Sequence, residues 1–262
     1  MQVADVRNDL LAEQEALDQI VSVLTAEQWA LPTASPRWSV ADQVGHLTYF
    51  DKTAAMAITD PDSFAALVRE LTGAIVADEA AGDDLTLGEY REMAPTELSE
   101  AWRANRKLLA DASATLEEDT RVVWYGPSMG SKSFLTARLM ECWAHGQDIV
   151  DVVGATRETT DRLRHIAQLG FITRGWTYVN RGLEAPEVPV RVALDAPSGD
   201  TWTFGPDDAA ESITGPAEDF CLVVTQRRHV NSTGLAVEGD SAREWMEFAQ
   251  AFAGPATDGP TA

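Results

Sequence analysis

The first two thirds of the chain repeat hydrophobic residues at every third or fourth position, the spacing of helices that bury one face. The first predicted helix covers residues 2–26. A second begins after Ser39, a favourable N-cap with Asp42 three positions later in place of the usual Glu or Gln, and runs to about Thr59. Three further predicted helices cover residues 95–116, 134–153 and 160–179.

Two segments between these helices break the helical period. Residues 60–94 are predicted to form a surface excursion, with a helix at 64–76 followed by an acidic loop at 77–84. Residues 119–131 are predicted to form a loop rich in Gly, Pro and Ser that carries Trp124 and Tyr125. These two aromatic residues either line the mouth of a pocket or simply hold the loop against the core.

The pattern changes after Leu183, where apolar and polar residues begin to alternate as they do in strands. Strands are predicted around 190–194, 202–204, 212–214 and 235–237, and helices at 216–228 and 241–252. The sequence therefore predicts a mainly α protein in three parts. These are a helical domain at 1–182, a small α+β domain at 183–254 and a disordered tail at 255–262.

The composition narrows the possible partners. The formal net charge of −22 repels phosphate backbones, so we expect no binding to nucleic acid. The sequence lacks a signal-like N-terminus and an apolar run long enough for a membrane span. Its two cysteines do not suggest a disulfide framework, so we expect a reduced cytoplasmic protein. The oligomeric state stays open between a monomer and a homodimer.

Glu141 and His145 form the strongest chemical signal, because residues four apart lie on one face of a helix. A carboxylate and an imidazole can bind one divalent metal, but a site needs a third ligand. The candidates are His46, His165 and His229, and His46 is preferred because it lies off the apolar stripe of a well-formed helix. The alternative is that these histidines are structural residues of the core.

Two motifs resemble those of the DinB-like superfamily, and specifically its mycothiol-dependent maleylpyruvate isomerase branch. Residues 38–47, Trp-Ser-Val-Ala-Asp-Gln-Val-Gly-His-Leu, are similar to the start of that family's second helix. Residues 139–148 resemble its Glu-xxx-His-Gly-x-Asp helix, and residues 214–227 and 235–240 are similar to its small C-terminal domain. The resemblance implies a DinB-like antiparallel four-helix bundle.

The resemblance also implies a set of site residues. His46, Glu141 and His145 match the family's metal ligands, and the metal in the family is usually zinc. Arg227 matches an arginine of the C-terminal domain that the family uses near its active site, although Arg228 is an adjacent alternative. Arg227 is expected on the inner face of the helix at 216–228; the alternative is a surface charge at the end of that helix, stabilised by the helix dipole.

Other residues near the two motifs are expected to have supporting or structural roles. Asp42 is expected to cap its helix, and Cys142 is expected to pack in the core. Asp148 orients either a ligand histidine or the substrate, or else is solvated. Arg138 lies one turn before Glu141, so it could pair with that residue or with an anionic substrate.

The function implied is that of a metal-dependent enzyme in which the metal activates a low-molecular-weight thiol, mycothiol, for addition to a small electrophile. The enzyme would be an isomerase if the thiol leaves again and a transferase if it stays. One alternative is a metalloenzyme of the same fold that needs no thiol, such as a hydrolase. Another is a non-catalytic protein that binds a metal or a small molecule.

Overall fold

The computed structural model of the chain describes residues 2–77, 79–126 and 128–261. It consists of two compact units, Met1–Arg157 and Glu158–Ala262. Among the described residues, no helix is both long enough and apolar enough to cross a membrane.

The first unit is helical. Its helices are α1 (Val3–Val21), α2 (Ala26–Trp29), α3 (Val40–Thr59), α4 (Pro61–Ala77), α5 (Glu79–Arg91), α6 (Pro95–Ser113) and α7 (Ser131–Val153). Helix α3 packs against α6 and α7, and α1 packs against the same two helices, which gives the predicted four-helix bundle. A two-residue antiparallel pair, β1 (Arg121–Val122) with β2 (Met129–Gly130), lies between α6 and α7.

The start of α3 forms the predicted cap. The Ser39 hydroxyl accepts a hydrogen bond from the Asp42 backbone N–H, and the Asp42 carboxylate accepts one from the Ser39 backbone N–H at 2.8 Å. Arg91 donates to the second Asp42 oxygen at 2.7 Å. Burial would raise the pKa of Asp42, but the bonds from Ser39 and Arg91 outweigh it and lower the pKa. Asp42 therefore fixes the first turn of the helix that carries His46.

The acidic loop predicted at 77–84 is wrong for residues 79–84, which belong to α5; Asp78 lies outside the described residues. Leu87 and Tyr90 of α5 are buried, and α5 packs against α3. A Cβ atom on Gly45 of α3 would lie only 3.1 Å from the Tyr90 Cβ. Tertiary packing on α3 thus supports a helix whose acidic sequence resembles a loop.

The second unit contains a four-stranded sheet and several helices. Its elements are α8 (Leu163–Ile172), α9 (Arg174–Asn180), β3 (Val190–Asp195), β4 (Thr201–Phe204), β5 (Glu211–Pro216), α10 (Ala217–Val224), β6 (Ala236–Glu238) and α11 (Asp240–Phe248). The strand order is β4-β3-β5-β6. The β3–β5 pair is parallel, and the other two pairs are antiparallel.

Residues 158–182, which the sequence analysis assigned to the helical domain, lie in the second unit. Helix α8 packs closely on α10, and a Cβ on Gly170 would lie 2.7 Å from a methyl of Val224. The single helix predicted at 160–179 is in fact two helices. They meet at Thr173, whose hydroxyl donates to the Leu169 carbonyl at 2.8 Å and competes with the backbone ladder.

The helix predicted at 216–228 is shorter than expected, because α10 ends at Val224. Gln226 has a left-handed backbone with φ of 59°, and the Arg227 N–H bonds to the Leu222 carbonyl at 2.8 Å, as in a Schellman-type helix end. Arg227 therefore lies beyond α10, and its expected place on the inner face of that helix is wrong. Residues 255–261 form no helix or strand, and the Thr257 hydroxyl among them bonds to Gln226.

Candidate metal centre

The three predicted ligands meet between α3 and α7. His46 on α3 and His145 on α7 each place Nε2 beside one oxygen of Glu141, at 3.2 Å and 3.1 Å. The two imidazole rings lie 4.3 Å apart between their centroids. Among the described residues, these three side chains form the one group of metal-ligand type whose ligand atoms all lie within 4.8 Å of one another.

The donor set fits a divalent cation. Ligands that each lie about 2.0–2.2 Å from a tetrahedral zinc are separated by roughly 3.4 Å, close to the two nitrogen–oxygen distances here. The side chains are 14% (His46), 25% (Glu141) and 13% (His145) exposed, so the group opens towards solvent. Two histidines and one carboxylate with solvent access resemble catalytic zinc sites, which keep a coordination position open, more than closed structural ones.

The protonation states are those of metal ligands. Burial, helped by the neighbouring His145, lowers the pKa of His46 to about 3. Burial would raise the pKa of Glu141, but the neighbouring side chains of His145 and His46 outweigh this and hold the pKa well below its usual value. At neutral pH His46 is therefore a neutral imidazole and Glu141 a carboxylate, the forms that coordinate a cation.

Gln43 is the contact that sequence reasoning missed. Its Oε1 lies 2.6 Å from the Nδ1 of His145, whereas the nearest oxygen of Asp148 is 3.8 Å from that nitrogen. The sequence suggested Asp148, and not Gln43, as a residue that could orient a ligand histidine. The available signal was that Gln43 lies three residues before His46, so both share one face of α3.

Aromatic side chains surround the two histidines. The Trp38 ring lies 5.1 Å from His46 and stacks on His145 at 5.8 Å, and Phe50 lies 4.5 Å from His46. Tyr125 reaches Phe50 at 5.3 Å between ring centroids. The site thus has an aromatic wall next to its ligands.

The loop that holds Tyr125 is fixed by aromatic packing, one of the two possibilities that the sequence left open. Trp124 stacks face to face on Phe64 at 5.4 Å and meets Phe134 edge-on at 5.1 Å. Tyr125 in turn contacts Phe64 at 5.2 Å. The loop is therefore anchored on α4 and α7, and through Tyr125 it reaches the aromatic wall.

Arg138 has a different partner from those the sequence suggested. It donates to Asp51 at 2.9 Å, and the two side chains are 2% and 3% exposed. Asp51 also accepts hydrogen bonds from Gln14 at 2.9 Å and Trp102 at 3.2 Å. The suggested pairing of Arg138 with Glu141 or with an anionic substrate is therefore replaced by a buried ion pair.

The remaining candidates lie outside the metal-ligand group. His165 is buried in α8, and His229 lies 3.1 Å from Glu247, both within the second unit. Arg227 donates to the Thr225 carbonyl at 2.7 Å, also within that unit. Cys142 is buried in the bundle core as expected, and burial raises the pKa of its thiol well above the usual value.

Comparison with known families gives two matches along the chain. Residues 10–150 match the family model described as the mycothiol maleylpyruvate isomerase N-terminal domain. Residues 186–237 match a model described as wyosine base formation.

Similar proteins are found in two strains of Mycobacterium tuberculosis. Both are uncharacterized proteins, and each is 44% identical over 247 residues, which is 94% of this chain and 95% of the relative. The crystal structure of a mycothiol-dependent maleylpyruvate isomerase aligns with a TM-score of 0.60 at 15% identity, covering 92% of this chain and 96% of the other. A histidine-to-alanine mutant of such an isomerase aligns with a TM-score of 0.59 at 14% identity and the same coverage. These two structures show a shared fold.

Proposed function

Because the chain belongs to the mycothiol maleylpyruvate isomerase family, whose N-terminal domain model matches residues 10–150, we propose that it is a metal- and thiol-dependent enzyme acting on a small electrophile. Its thiol is of the mycothiol type, and its reaction is an isomerisation or the transfer of the thiol. The observation that carries the proposal is the convergence of His46, Glu141 and His145 on one point with the donor atoms of an open zinc site.

The chain's own residues supply the setting for this chemistry. His46, Glu141 and His145 would hold the cation, for which zinc is the leading candidate. When bound, a divalent ion at such a site lowers the pKa of a thiol and keeps it as a thiolate at neutral pH. Trp38 and Phe50 flank the two histidines with apolar surface. This surface limits the access of water and so strengthens the electrostatic interactions at the ligands.

A thiolate held at this site would react with the electrophile. Its addition to a conjugated double bond leaves a single bond that can rotate, and its elimination restores the double bond in the isomerised product. The thiol is regenerated in this cycle. If the anionic adduct instead takes up a proton from solvent and is released, the same addition step gives a thiol transferase.

The thiol step can be tested with cobalt-substituted protein. Addition of mycothiol is expected to produce a thiolate-to-cobalt charge-transfer band, and an analogue with hydroxyl in place of the thiol should produce none. Metal binding without a band at saturating mycothiol would favour a hydrolase-like enzyme of the same fold. Substoichiometric metal after reconstitution would overturn both enzyme functions and favour a non-catalytic protein.

We extend the proposal to Arg227 as the residue that binds an anionic group of the substrate. A hydrogen bond to a charged group contributes about 1.5–3 kcal/mol, so Arg227→Gln is expected to lower kcat/KM for an anionic electrophile roughly 10- to 150-fold. Arg228→Gln is a matched control, since each arginine donates to a neighbouring carbonyl, and it should leave kcat/KM nearly unchanged. Equal losses in both variants, or loss of metal in Arg227→Gln, would contradict this role.

A further inference from the structure

The side chain of Gln43 is fully buried between a turn and the candidate metal centre. Its Nε2 lies 2.8 Å from the Thr33 hydroxyl and 3.0 Å from the Ser35 hydroxyl. Its Oε1 lies 2.6 Å from the Nδ1 of His145. The amide thus connects two hydroxyls of the turn before α3 with one ligand histidine on α7.

The hydroxyl groups determine which way this amide points. A hydroxyl has one hydrogen to donate. Thr33 donates its hydrogen to the Trp38 carbonyl at 3.0 Å, and Ser35 donates to Asp148 at 3.5 Å. Towards Gln43 both hydroxyls can therefore only accept. The NH₂ group of Gln43 must face them, and its carbonyl oxygen must face His145.

The amide orientation in turn determines the tautomer of His145. An amide oxygen only accepts hydrogen bonds, so the Nδ1 of His145 must carry the hydrogen. In the neutral ring Nε2 then has a free lone pair, and it lies 3.1 Å from a carboxylate oxygen of Glu141. Two acceptors face each other at that point, and a cation between them would satisfy both.

We propose that Gln43 is a positioning residue that keeps the hydrogen of His145 on Nδ1 and so presents Nε2 to the metal. This inference rests on the metal site of the proposed function and adds a residue to it. The turn that orients Gln43 also carries Trp38, whose ring stacks on His145 at 5.8 Å. Residues 33–38 therefore fix both the tautomer and the plane of this ligand.

Three variants test the role through zinc affinity, measured by competition with a chromogenic chelator. Gln43→Met removes the acceptor at nearly constant volume and is expected to weaken zinc binding about 10- to 100-fold, the usual effect of losing such a partner. Gln43→Glu keeps an acceptor for Nδ1, although its second oxygen needs the Thr33 or Ser35 hydroxyl to turn and donate to it, so it should bind zinc more tightly than Gln43→Met. Gln147→Met should bind zinc normally, because this buried glutamine of α7 bonds to Asp151 and Arg157 instead.

A second measurement needs no metal. In apoprotein with ¹⁵N-labelled histidine at pH 8, long-range nitrogen–proton spectra distinguish the two tautomers. The chain has four histidines, and His145 is assigned by its loss in His145→Ala. We expect the Nδ1–H form in the unchanged protein and in Gln147→Met, and a mixture of forms in Gln43→Met.

Two results would overturn the inference: an Nε2–H tautomer of His145 in the unchanged apoprotein, or unaltered zinc affinity in Gln43→Met. A failure of the proposed function would give a different combination of results. If mycothiol gave no charge-transfer band while the tautomer and zinc affinity still depended on Gln43, the positioning role would be supported and the thiol chemistry would fail.

Discussion

Protein in which His46 is replaced by alanine is expected to lose its metal and its turnover together. His46 supplies one of three protein ligands, and the two that stay, Glu141 and His145, do not form a site by themselves. The loss of zinc affinity should exceed the roughly 100-fold that marks the upper range for residues behind the ligands. The His46 side chain is 14% exposed and packs against the rings of Trp38 and Phe50, so its loss should cost some stability but leave the bundle folded.

Zinc content after gel filtration, with circular dichroism as the check on folding, measures this effect. His229→Ala is the matched control, because His229 pairs with Glu247 and belongs to no metal-ligand group among the described residues. It should retain stoichiometric zinc. A folded His46→Ala protein with stoichiometric zinc and normal turnover would show that the third ligand has been assigned wrongly.

The second large effect concerns stability. Asp51→Ala should lower the free energy of unfolding by about 3–5 kcal/mol, because it leaves Arg138 as a buried charge without its carboxylate partner. Urea unfolding measures the change. Asp111→Ala removes a partner from the exposed Lys107–Asp111 pair and is expected to cost no more than about 0.5 kcal/mol.

The double variant Asp51→Leu/Arg138→Met tests the cause. Asp51 is 2% exposed, so its carboxylate is poorly solvated, and this burial raises its pKa. Replacing both charges removes that cost, so the double variant should be more stable than Asp51→Ala. A double variant less stable than Asp51→Ala would contradict the explanation by an unpaired charge.

Asp51 occupies a central place in the bundle. It lies on α3, and its carboxylate accepts bonds from α1 through Gln14, from α6 through Trp102 and from α7 through Arg138. All four bundle helices therefore meet at one side chain. Helices α3 and α7 also carry the three metal ligands. By joining these two helices, the Asp51 network therefore fixes the position of His46 relative to Glu141 and His145.

The sequence was sufficient to predict those features of the fold and of the candidate site that depend on local residue spacing. The apolar period predicted α1, α3, α6 and α7, and the Ser39–Asp42 cap formed as expected. The Glu141–His145 pair could be predicted because residues four apart in sequence lie about one helical turn apart, on the same face. His46 could be ranked first among the candidate third ligands because it lies outside the apolar stripe of α3. The family resemblance then indicated that α3 and α7 are neighbours.

The sequence was not sufficient where a partner comes from a distant segment. Gln43 and Arg138 lie beside predicted ligands in sequence, yet their partners His145 and Asp51 are 102 and 87 positions away. Helix α5 was missed because its packing on α3 outweighs an acidic, loop-like composition. The position at which α10 ends was not predicted, because it depends on the left-handed backbone of Gln226. Glutamine, unlike glycine, does not indicate a left-handed turn in a sequence.

The most direct test of the metal- and thiol-dependent site is a zinc K-edge X-ray absorption measurement on loaded protein with and without mycothiol. We predict nitrogen and oxygen ligands at about 2.0–2.2 Å, including imidazole, and one added sulfur at about 2.3 Å when mycothiol binds. A zinc environment without imidazole, or one that gains no sulfur at saturating mycothiol, would contradict the account.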